Sequence, residues 1–210
     1  MDEQGWTKWL AAVSTGFAAE LKDQPLPETN EEAFRRYIEA LKNTNNAVAY
    51  VMCRGIGPTI WSTDKSKLKE IRRRFMLLGQ TLDGMRTWDV RRAIQTVRSR
   101  NIESLRGVPV RLEGQGYMAG IALYASLFEP DIAGLDLVNL PLSHHDGPIY
   151  LNVLRYLDMP CAVAMAADRS QVKLYQDDDA GWQFPKAVAD RLGWPEKQLQ
   201  IHTASTAGNP

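Results

Sequence analysis

The spacing of apolar residues changes at about residue 46. Before this point they recur every three or four positions, at Trp6, Leu10, Val13 and Phe17, which predicts an amphipathic helix over residues 1–22. The prolines of DQPLPETN end that helix, because each lacks a backbone N–H and restricts the residue before it. A second helix, ending near residue 41, is expected to begin after a cap at Thr29 or Asn30.

From residue 47 onward, short apolar runs alternate with helical patterns. Strands are predicted at residues 47–53, 108–114, 133–140, 161–167 and 198–202. Helices are predicted at residues 68–97, in two pieces broken near Gly79 and Gly84, and at residues 117–128, 149–157 and 186–194. Strands separated by helices indicate an α/β fold with a mainly parallel sheet and helices on both faces. The predicted organisation is a helical segment (1–45), an α/β domain (46–202) and a disordered tail (203–210).

Composition narrows the class of protein without naming a function. The chain has 210 residues, with 25 Lys+Arg against 25 Asp+Glu, so its charge gives no reason to expect a nucleic-acid or anionic-membrane partner. No apolar run reaches the length of a spanning helix, and the N-terminal residues lack the basic-then-apolar order of a signal peptide. These features are typical of a soluble globular protein. Cys53 and Cys161 have no metal-ligand spacing, so neither a metal nor a cofactor is expected.

The stretch EGQGYMAG, at residues 113–120, joins a predicted strand to a predicted helix. In the GxSxG nucleophile elbow, glycines flank a serine on such a turn, and the N–H of the next residue helps to form the oxyanion hole. Here those positions fall on Gly114, Gly116 and Met118, so Gly116 occupies the place of the serine. Because glycine has no side-chain oxygen, an acyl-enzyme cannot form at this position.

The same turn also satisfies the dinucleotide-binding pattern GxGxxG/A. Gly114, Gly116 and Ala119 match its three small residues, and Asp136 lies about 20 residues further on. However, this pattern normally opens the first strand–helix–strand unit, whereas a strand and long helices are predicted before it here. Dinucleotide binding is therefore the alternative hypothesis for this turn.

The surroundings of the turn favour the first interpretation. AVAYVMCRGIGPT resembles the fourth strand and arginine–glycine turn of the α/β-hydrolase superfamily, in particular its acetyl xylan esterase and dienelactone hydrolase-like branch. WDVRRAIQTVRSR is similar to the helix before the elbow, and residues 108–141 are similar to the elbow strand, its helix and the next strand. The resemblance covers about three-quarters of the chain. It implies an esterase-type domain with a degenerate elbow, inactive or weakly active as a serine hydrolase.

The resemblance also suggests where the other catalytic groups would lie. The acid of the superfamily follows the next-to-last strand, where Asp168 is expected, and the histidine follows the last strand, where His202 is expected. The N–H of Tyr117 corresponds to the oxyanion-hole donor that follows the nucleophile. A small ester or carbohydrate ester is the ligand class that the resemblance implies.

Two further features leave alternatives open. The superfamily has strands before the arginine–glycine turn that have no counterpart here, so an upstream domain or a second subunit is expected to cover the exposed sheet edge. The loop SHHDGP, at residues 143–148, places Ser143 beside His144 and His145, which makes Ser143 a candidate for a relocated nucleophile. A non-catalytic ligand-binding or assembly domain is the other possible outcome.

Overall fold

The computed structural model describes residues 1–22, 25–42, 45–100 and 103–203. The chain divides into two compact units, one comprising Met1–Trp61 and the other beginning at Ser62. The sequence pattern placed the boundary earlier, between residues 45 and 46.

Two capped helices form most of the first unit. Helix α1 spans Glu3–Phe17, and the carboxylate of Asp2 accepts a hydrogen bond (2.8 Å) from the N–H of Gly5 in its first turn. Helix α2 spans Glu31–Lys42, and the side-chain oxygen of Asn30 accepts a hydrogen bond from an N–H of its first turn in the same way. Both predicted helices are confirmed, and Asn30 is the capping residue of the two that were considered.

The strand predicted at residues 47–53 is wrong. These residues form no regular element and precede a single 3₁₀ turn at Gly57–Thr59. A strand requires a neighbour that pairs with its backbone, so an apolar run alone does not make one. Cys53 is nevertheless fully buried, and the N–H of Gly57 donates to the Glu3 carboxylate (2.9 Å), so tertiary contacts hold this segment.

The described residues of the second unit form five helices of at least nine residues and a four-stranded sheet. In chain order these are α3 (Lys65–Leu77), α4 (Leu82–Ser99), β1 (Val110–Gln115), α5 (Tyr117–Phe128), β2 (Ile132–Val138), α6 (Met159–Ala167), β3 (Gln171–Gln176), α7 (Gln183–Leu192) and β4 (Leu199–Thr203). The predicted break between α3 and α4 is confirmed, since Gly79 lies between them with a φ of 72°. No helix in the described part of the chain is long and apolar enough to cross a membrane.

The sheet is parallel throughout, in the order β1-β2-β3-β4. Since parallel connections are right-handed and each strand lies beside the previous one, α5, α6 and α7 lie on the same face. The core between these helices and the sheet includes Leu135, Leu137, Val172 and Leu174, all fully buried. The carboxyl ends of all four strands lie along one edge, which is where open parallel sheets usually bind ligands.

Two predicted elements after β2 are corrected by the structure. Residues 161–167, predicted as a strand, belong to helix α6, and residues 149–157, predicted as a helix, contain only a 3₁₀ turn at Val153–Arg155. The sequence does contain a signal for the start of α6, but it lies before the apolar run on which the strand prediction was based. Asp158 caps α6 by accepting from the N–H of Met159 (2.8 Å), and a proline stands in the first turn.

The face of the sheet opposite α5 carries charged side chains. Arg111 donates to the carboxylate of Asp136 on the neighbouring strand (2.9 Å). Burial, and then the negative charge of Asp136, raise the pKa of the Glu113 carboxyl above its usual value. Parallel sheets usually have apolar residues on both faces, so this polar surface is a distinctive feature of the second unit.

Candidate functional site

The turn between β1 and α5 has the sharp geometry that the sequence predicted. Gly116 adopts φ 54° and ψ −128°, a conformation that residues with a side chain rarely adopt, and it caps the amino end of α5. Its N–H donates to the carbonyl of Val138 (2.8 Å), and its carbonyl accepts from the N–H of Ala119 (3.0 Å). The backbone of the turn is therefore anchored to the next strand and to the helix that it opens.

The two glycines of the turn have different steric requirements. A Cβ at Gly114 would lie 2.7 Å from the Cα of Ala119, so only glycine lets β1 and α5 approach this closely. A Cβ at Gly116 would have no neighbouring atom within 4 Å. The position of the elbow nucleophile thus has room for a side chain and lacks one, while Met118, at the second glycine position of the elbow pattern, is buried.

Below the turn, a buried carboxylate connects three segments of the second unit. Asp83, in the first turn of α4, is 4% exposed and accepts hydrogen bonds from the Tyr117 hydroxyl and from the N–H of Ile149 (2.8 Å). Arg86 lies 3.6 Å from its second oxygen. Burial, and then Asp83, raise the pKa of Tyr117 above its usual value, so this phenol remains neutral. The network fixes the first residue of α5, whose N–H remains the predicted oxyanion-hole donor.

Sequence reasoning did not single out Asp83. Its position within an apolar helical stripe gave a weak signal, because an aspartate in the first turn of a helix is ordinarily a solvated residue that favours the helix dipole. Its burial depends on Tyr117 and Ile149, which are 34 and 66 residues away in the chain.

The structure places Asp168 away from the turn. The residue caps the carboxyl end of α6 and precedes β3, so it does not follow a strand as predicted. In a parallel sheet the start of β3 lies at the edge opposite the end of β1. Asp168 and Gly116 therefore stand at opposite edges of the sheet, because the predicted strand at residues 161–167 is a helix.

His202 lies within the last strand rather than after it. It pairs with Tyr175 of β3, and the two rings stack with their centroids 5.3 Å apart. Strands β1 and β4 are separated by three strand spacings, about 14 Å at roughly 4.8 Å each. A hydrogen bond between His202 and a side chain at Gly116 is out of reach in this arrangement, so the structure does not bring together the predicted acid, base and nucleophile positions.

Three carboxylates that the sequence analysis passed over follow β3. Asp177, Asp178 and Asp179 occupy the position after the next-to-last strand that had been given to Asp168. Asp179 pairs with Lys186 (2.5 Å), and Asp178 accepts from the N–H of Ala180 (2.5 Å). The signal that would have found them is the alternation of polar and apolar residues in QVKLYQ, which is typical of a strand with one buried face.

The Ser143 hydroxyl has a structural partner. It donates to the Asp158 carboxylate (2.7 Å) and accepts from the N–H of His145 (3.2 Å). Partial burial alone would raise the pKa of Asp158, but hydrogen bonds from Ser143, His144 and Met159 lower it below its usual value. A carboxylate with a lowered pKa is a poor base, so this pair gives Ser143 little activation as a nucleophile.

The neighbouring His144 is held on both sides of its ring. It is 6% exposed, with Nδ1 2.6 Å from the carbonyl of Pro148 and Nε2 2.6 Å from the Tyr124 hydroxyl. Because a carbonyl only accepts, Nδ1 carries a proton, and neither nitrogen is available to Ser143. Among the described residues, no three His, Cys, Asp or Glu side chains are grouped so as to hold a metal ion.

The dinucleotide alternative depends on Asp136, which the structure places in the middle of β2. Asp136 is the strand neighbour of Glu113 and Lys173 in the sheet. Its carboxylate forms an ion pair with Arg111 on the face opposite α5. An acid that binds a ribose hydroxyl stands at the carboxyl edge, near the glycine turn. Gly114, Gly116 and Ala119 lie at the carboxyl end of β1 and the start of α5, as the pattern predicts, but the acid does not stand at that edge.

A shallow recess opens at the carboxyl ends of β2 and β3. Its volume is about 260 Å³, and its lining includes Asn139, Gln176, Asp177, Asp178 and Trp182. Asn139 has a φ of 49°, and its N–H donates to the carbonyl at position 175 (2.8 Å), which fixes the wall of the recess. The recess therefore lies at the edge where the sheet topology favours ligand binding.

Comparison with known proteins supports the fold and goes no further. No family model matches the chain, and no curated protein matches it. A solved structure of a Bacteroides fragilis protein, inferred to be an acetyl xylan esterase, aligns with a TM-score of 0.52 and 13% identity. The alignment covers 75% of this chain and 46% of that protein, so this chain matches less than half of its length. The four-stranded parallel sheet with its helices thus has an α/β-hydrolase-like fold, preceded by N-terminal helices.

Proposed function

We propose that the second unit is an esterase-type α/β-hydrolase domain whose elbow has kept its shape and lost its nucleophile, leaving a ligand-binding domain without acyl-enzyme chemistry. The conformation of Gly116 carries this proposal. It has the strained backbone, the helix-capping position and the open space that a nucleophile at this turn requires, without an oxygen atom.

The positions of the candidate acid and base support the same conclusion. Asp168 precedes β3, and His202 lies within β4 with its ring stacked on Tyr175. A serine nucleophile needs a histidine within hydrogen-bond reach and a carboxylate that orients the histidine. A serine introduced at Gly116 would therefore have neither partner in this arrangement.

The ligand class for such a domain follows from the structural neighbour. The name of that protein implies an acetylated carbohydrate substrate, and a small ester or carbohydrate ester is accordingly the ligand we propose for this chain. The turn at Gly116 would present backbone N–H groups at the amino end of α5, where Tyr117 begins the helix and a carbonyl oxygen is favoured.

Hydrolysis of p-nitrophenyl acetate tests the loss of chemistry. Wild type and Gly116→Ser are expected to release nitrophenolate at the rate of Gly116→Ala, the matched control that introduces the same backbone strain without an oxygen. A burst of nitrophenolate equal to the protein concentration in wild type would contradict the proposal. Turnover gained only by Gly116→Ser would show that an acid and a base reach the turn in solution.

The edge strand β1 supports a second, independent part of the proposal. Within the described residues it pairs on one side only, with β2. We propose that an upstream domain or a second subunit covers this edge, since an unpaired edge strand favours association. Light scattering on the full chain is expected to show a dimer, and Glu113→Pro supplies the comparison. In the register of β1 with β2, the N–H of Glu113 lies on the unpaired side of the strand, so this change leaves the β1–β2 hydrogen bonds in place. A monomer at all concentrations would contradict the second subunit, and an upstream domain would then be the remaining candidate to cover the free edge of β1.

A further inference from the structure

The recess at the ends of β2 and β3 contains an unpaired hydrogen-bond donor. The side chain of Gln176 is 8% exposed, and its Nε2 has no hydrogen-bond partner among the described residues. A buried amide of this kind ordinarily finds a partner, because leaving it unpaired costs free energy. The group that satisfies Gln176 must be an acceptor, such as a carbonyl oxygen.

The same recess has a negative charge. Asp177 and Asp178 line it, and none of its eight described lining residues is basic. Lys186, on helix α7, is paired with Asp179, which is not part of the lining. Asp177 and Asp178 are both exposed, so solvent stabilises their charges, but an ammonium group in the recess would pair with them and a neutral ligand would not.

The unpaired donor and the negative charge together favour a ligand that carries both an acceptor and a positive charge. We propose that the recess formed by Asn139, Gln176, Asp177 and Asp178 binds an α-amino carbonyl group, with its ammonium at the two carboxylates and its carbonyl oxygen at Gln176 Nε2. This assignment does not depend on the proposed loss of esterase chemistry. A free amino-acid derivative and the N-terminus of a peptide share this group.

Other ligand classes satisfy only part of the recess. A metal ion would be coordinated by the carboxylates, but it offers no acceptor to Gln176 and would be repelled by its N–H dipole. A simple amine has the same deficiency. A polyol satisfies the donor and the acceptors, but it brings no positive charge to Asp177 and Asp178.

Chemical-shift titration of the full chain with three small probes tests the proposal. At pH 7, L-alaninamide is expected to shift the resonances of residues 139 and 176–178. N-acetyl-L-alaninamide, which lacks the charge, is expected to bind up to about fivefold more weakly, the upper value of one exposed ion pair. Ethylamine, which lacks the carbonyl, is expected to bind about fivefold more weakly, the value of one hydrogen bond. Binding should also weaken above about pH 8, where an α-amino group loses its proton.

Variants locate the binding within the recess. Asp177→Asn with Asp178→Asn is expected to weaken L-alaninamide binding about fivefold. Asp179→Asn is the control, because it removes one carboxylate that is next to the recess but not in its lining, and it should bind like wild type. Gln176→Leu should also weaken binding while its thermal midpoint stays the same or rises, because the variant buries no unpaired amide.

Two outcomes would overturn the assignment. One is equal binding of L-alaninamide and its N-acetylated form, or of glycerol, which would make the recess a site for neutral ligands. The other is the absence of any shift at residues 139 and 176–178 with tens of millimolar L-alaninamide. A comparison of L-alaninamide with trialanine amide distinguishes the sources, since tighter binding of the longer probe indicates a peptide N-terminus.

Discussion

The carboxyl ends of β1 and β3 lie two strands apart on the same edge and differ in what they offer a ligand. At the end of β1 the polar groups around the turn are paired: the N–H of Gly116 with Val138, and the Tyr117 hydroxyl with Asp83. At the end of β3, the buried Nε2 of Gln176 has no hydrogen-bond partner in the part of the chain that the structure describes, and Asp177 lies at the recess. The end of β1 has the geometry of a nucleophile elbow but no nucleophile. The end of β3 has polar side chains that are available to a ligand.

This difference shows that the shape of a site and its chemistry are maintained by different residues. The elbow turn depends on a buried network and on close backbone packing, which contribute to folding whether or not a nucleophile is present. Groups with no folding partner, such as the Gln176 amide, reduce stability unless a ligand satisfies them. The elbow turn therefore contributes to stability whether or not a nucleophile is present. A buried polar group with no partner in the fold instead indicates a ligand-binding site.

The largest effect is expected from Asp83→Ala. The change leaves the Tyr117 hydroxyl and the N–H of Ile149 without their buried acceptor, and it removes the carboxylate that lies 3.6 Å from Arg86. Together these losses should cost about 3 kcal/mol of unfolding free energy. Urea denaturation, with hydrogen exchange of the α5 amides as the local probe, measures this loss. Tyr117→Phe, which removes one hydroxyl, should lose about 1 kcal/mol. Equal stability of Asp83→Ala and wild type would mean that the network does not hold the turn.

A smaller loss of unfolding free energy is expected when alanine replaces Gly114 or Gly116, and the loss should be greater at Gly114. Gly114→Ala places a Cβ 2.7 Å from backbone of α5, and such overpacking should cost about 2 kcal/mol. Gly116→Ala meets no atom within 4 Å, so it should cost only the backbone strain of φ 54° and ψ −128°, on the order of 1–2 kcal/mol. Thermal denaturation of both variants checks the order. A reversed order would indicate that the nucleophile position is more crowded than the structure shows.

The smallest effect on stability is expected at the end of β3. Gln176→Leu should leave the unfolding free energy unchanged or raise it by up to about 1 kcal/mol, because it removes an unpaired buried amide. Urea denaturation in the absence of any ligand is the measurement. A loss above about 2 kcal/mol would show that the Gln176 amide already has a partner in the folded chain.

The strand–turn–helix at residues 108–128 was predictable because its glycines and its change of apolar period are local signals. The segment at residues 161–167 was not, since a short run of alanine, valine and methionine suits a buried strand and a buried helix equally well. The cap at Asp158 and the proline after Met159 distinguish the two, and they lie just outside the run. This error affected the predicted site more than the predicted fold. Because residues 161–167 were predicted to be the next-to-last strand, the predicted acid was Asp168, although Asp177–Asp179 are the residues that follow the next-to-last strand in the structure.

Two features could not be predicted from the sequence: the burial of Asp83, and the lack of a partner for Gln176 Nε2 among the residues that the structure describes. Each depends on residues distant in the chain that meet only in the folded protein. The pattern of a strand reveals which side chains face the core, but it does not reveal which hydrogen bonds remain unmade there. Such groups emerge only from a count of donors and acceptors in three dimensions.

Reaction with a fluorophosphonate, followed by intact mass spectrometry, tests the central claim most directly. This reagent modifies serines that are activated by a base, so it detects a nucleophile without depending on a choice of ester. Wild type and Gly116→Ser are both expected to keep their unmodified masses, because neither Asp168 nor His202 reaches the turn. An adduct on wild type, with Ser143 or any other residue as its site, would contradict the account.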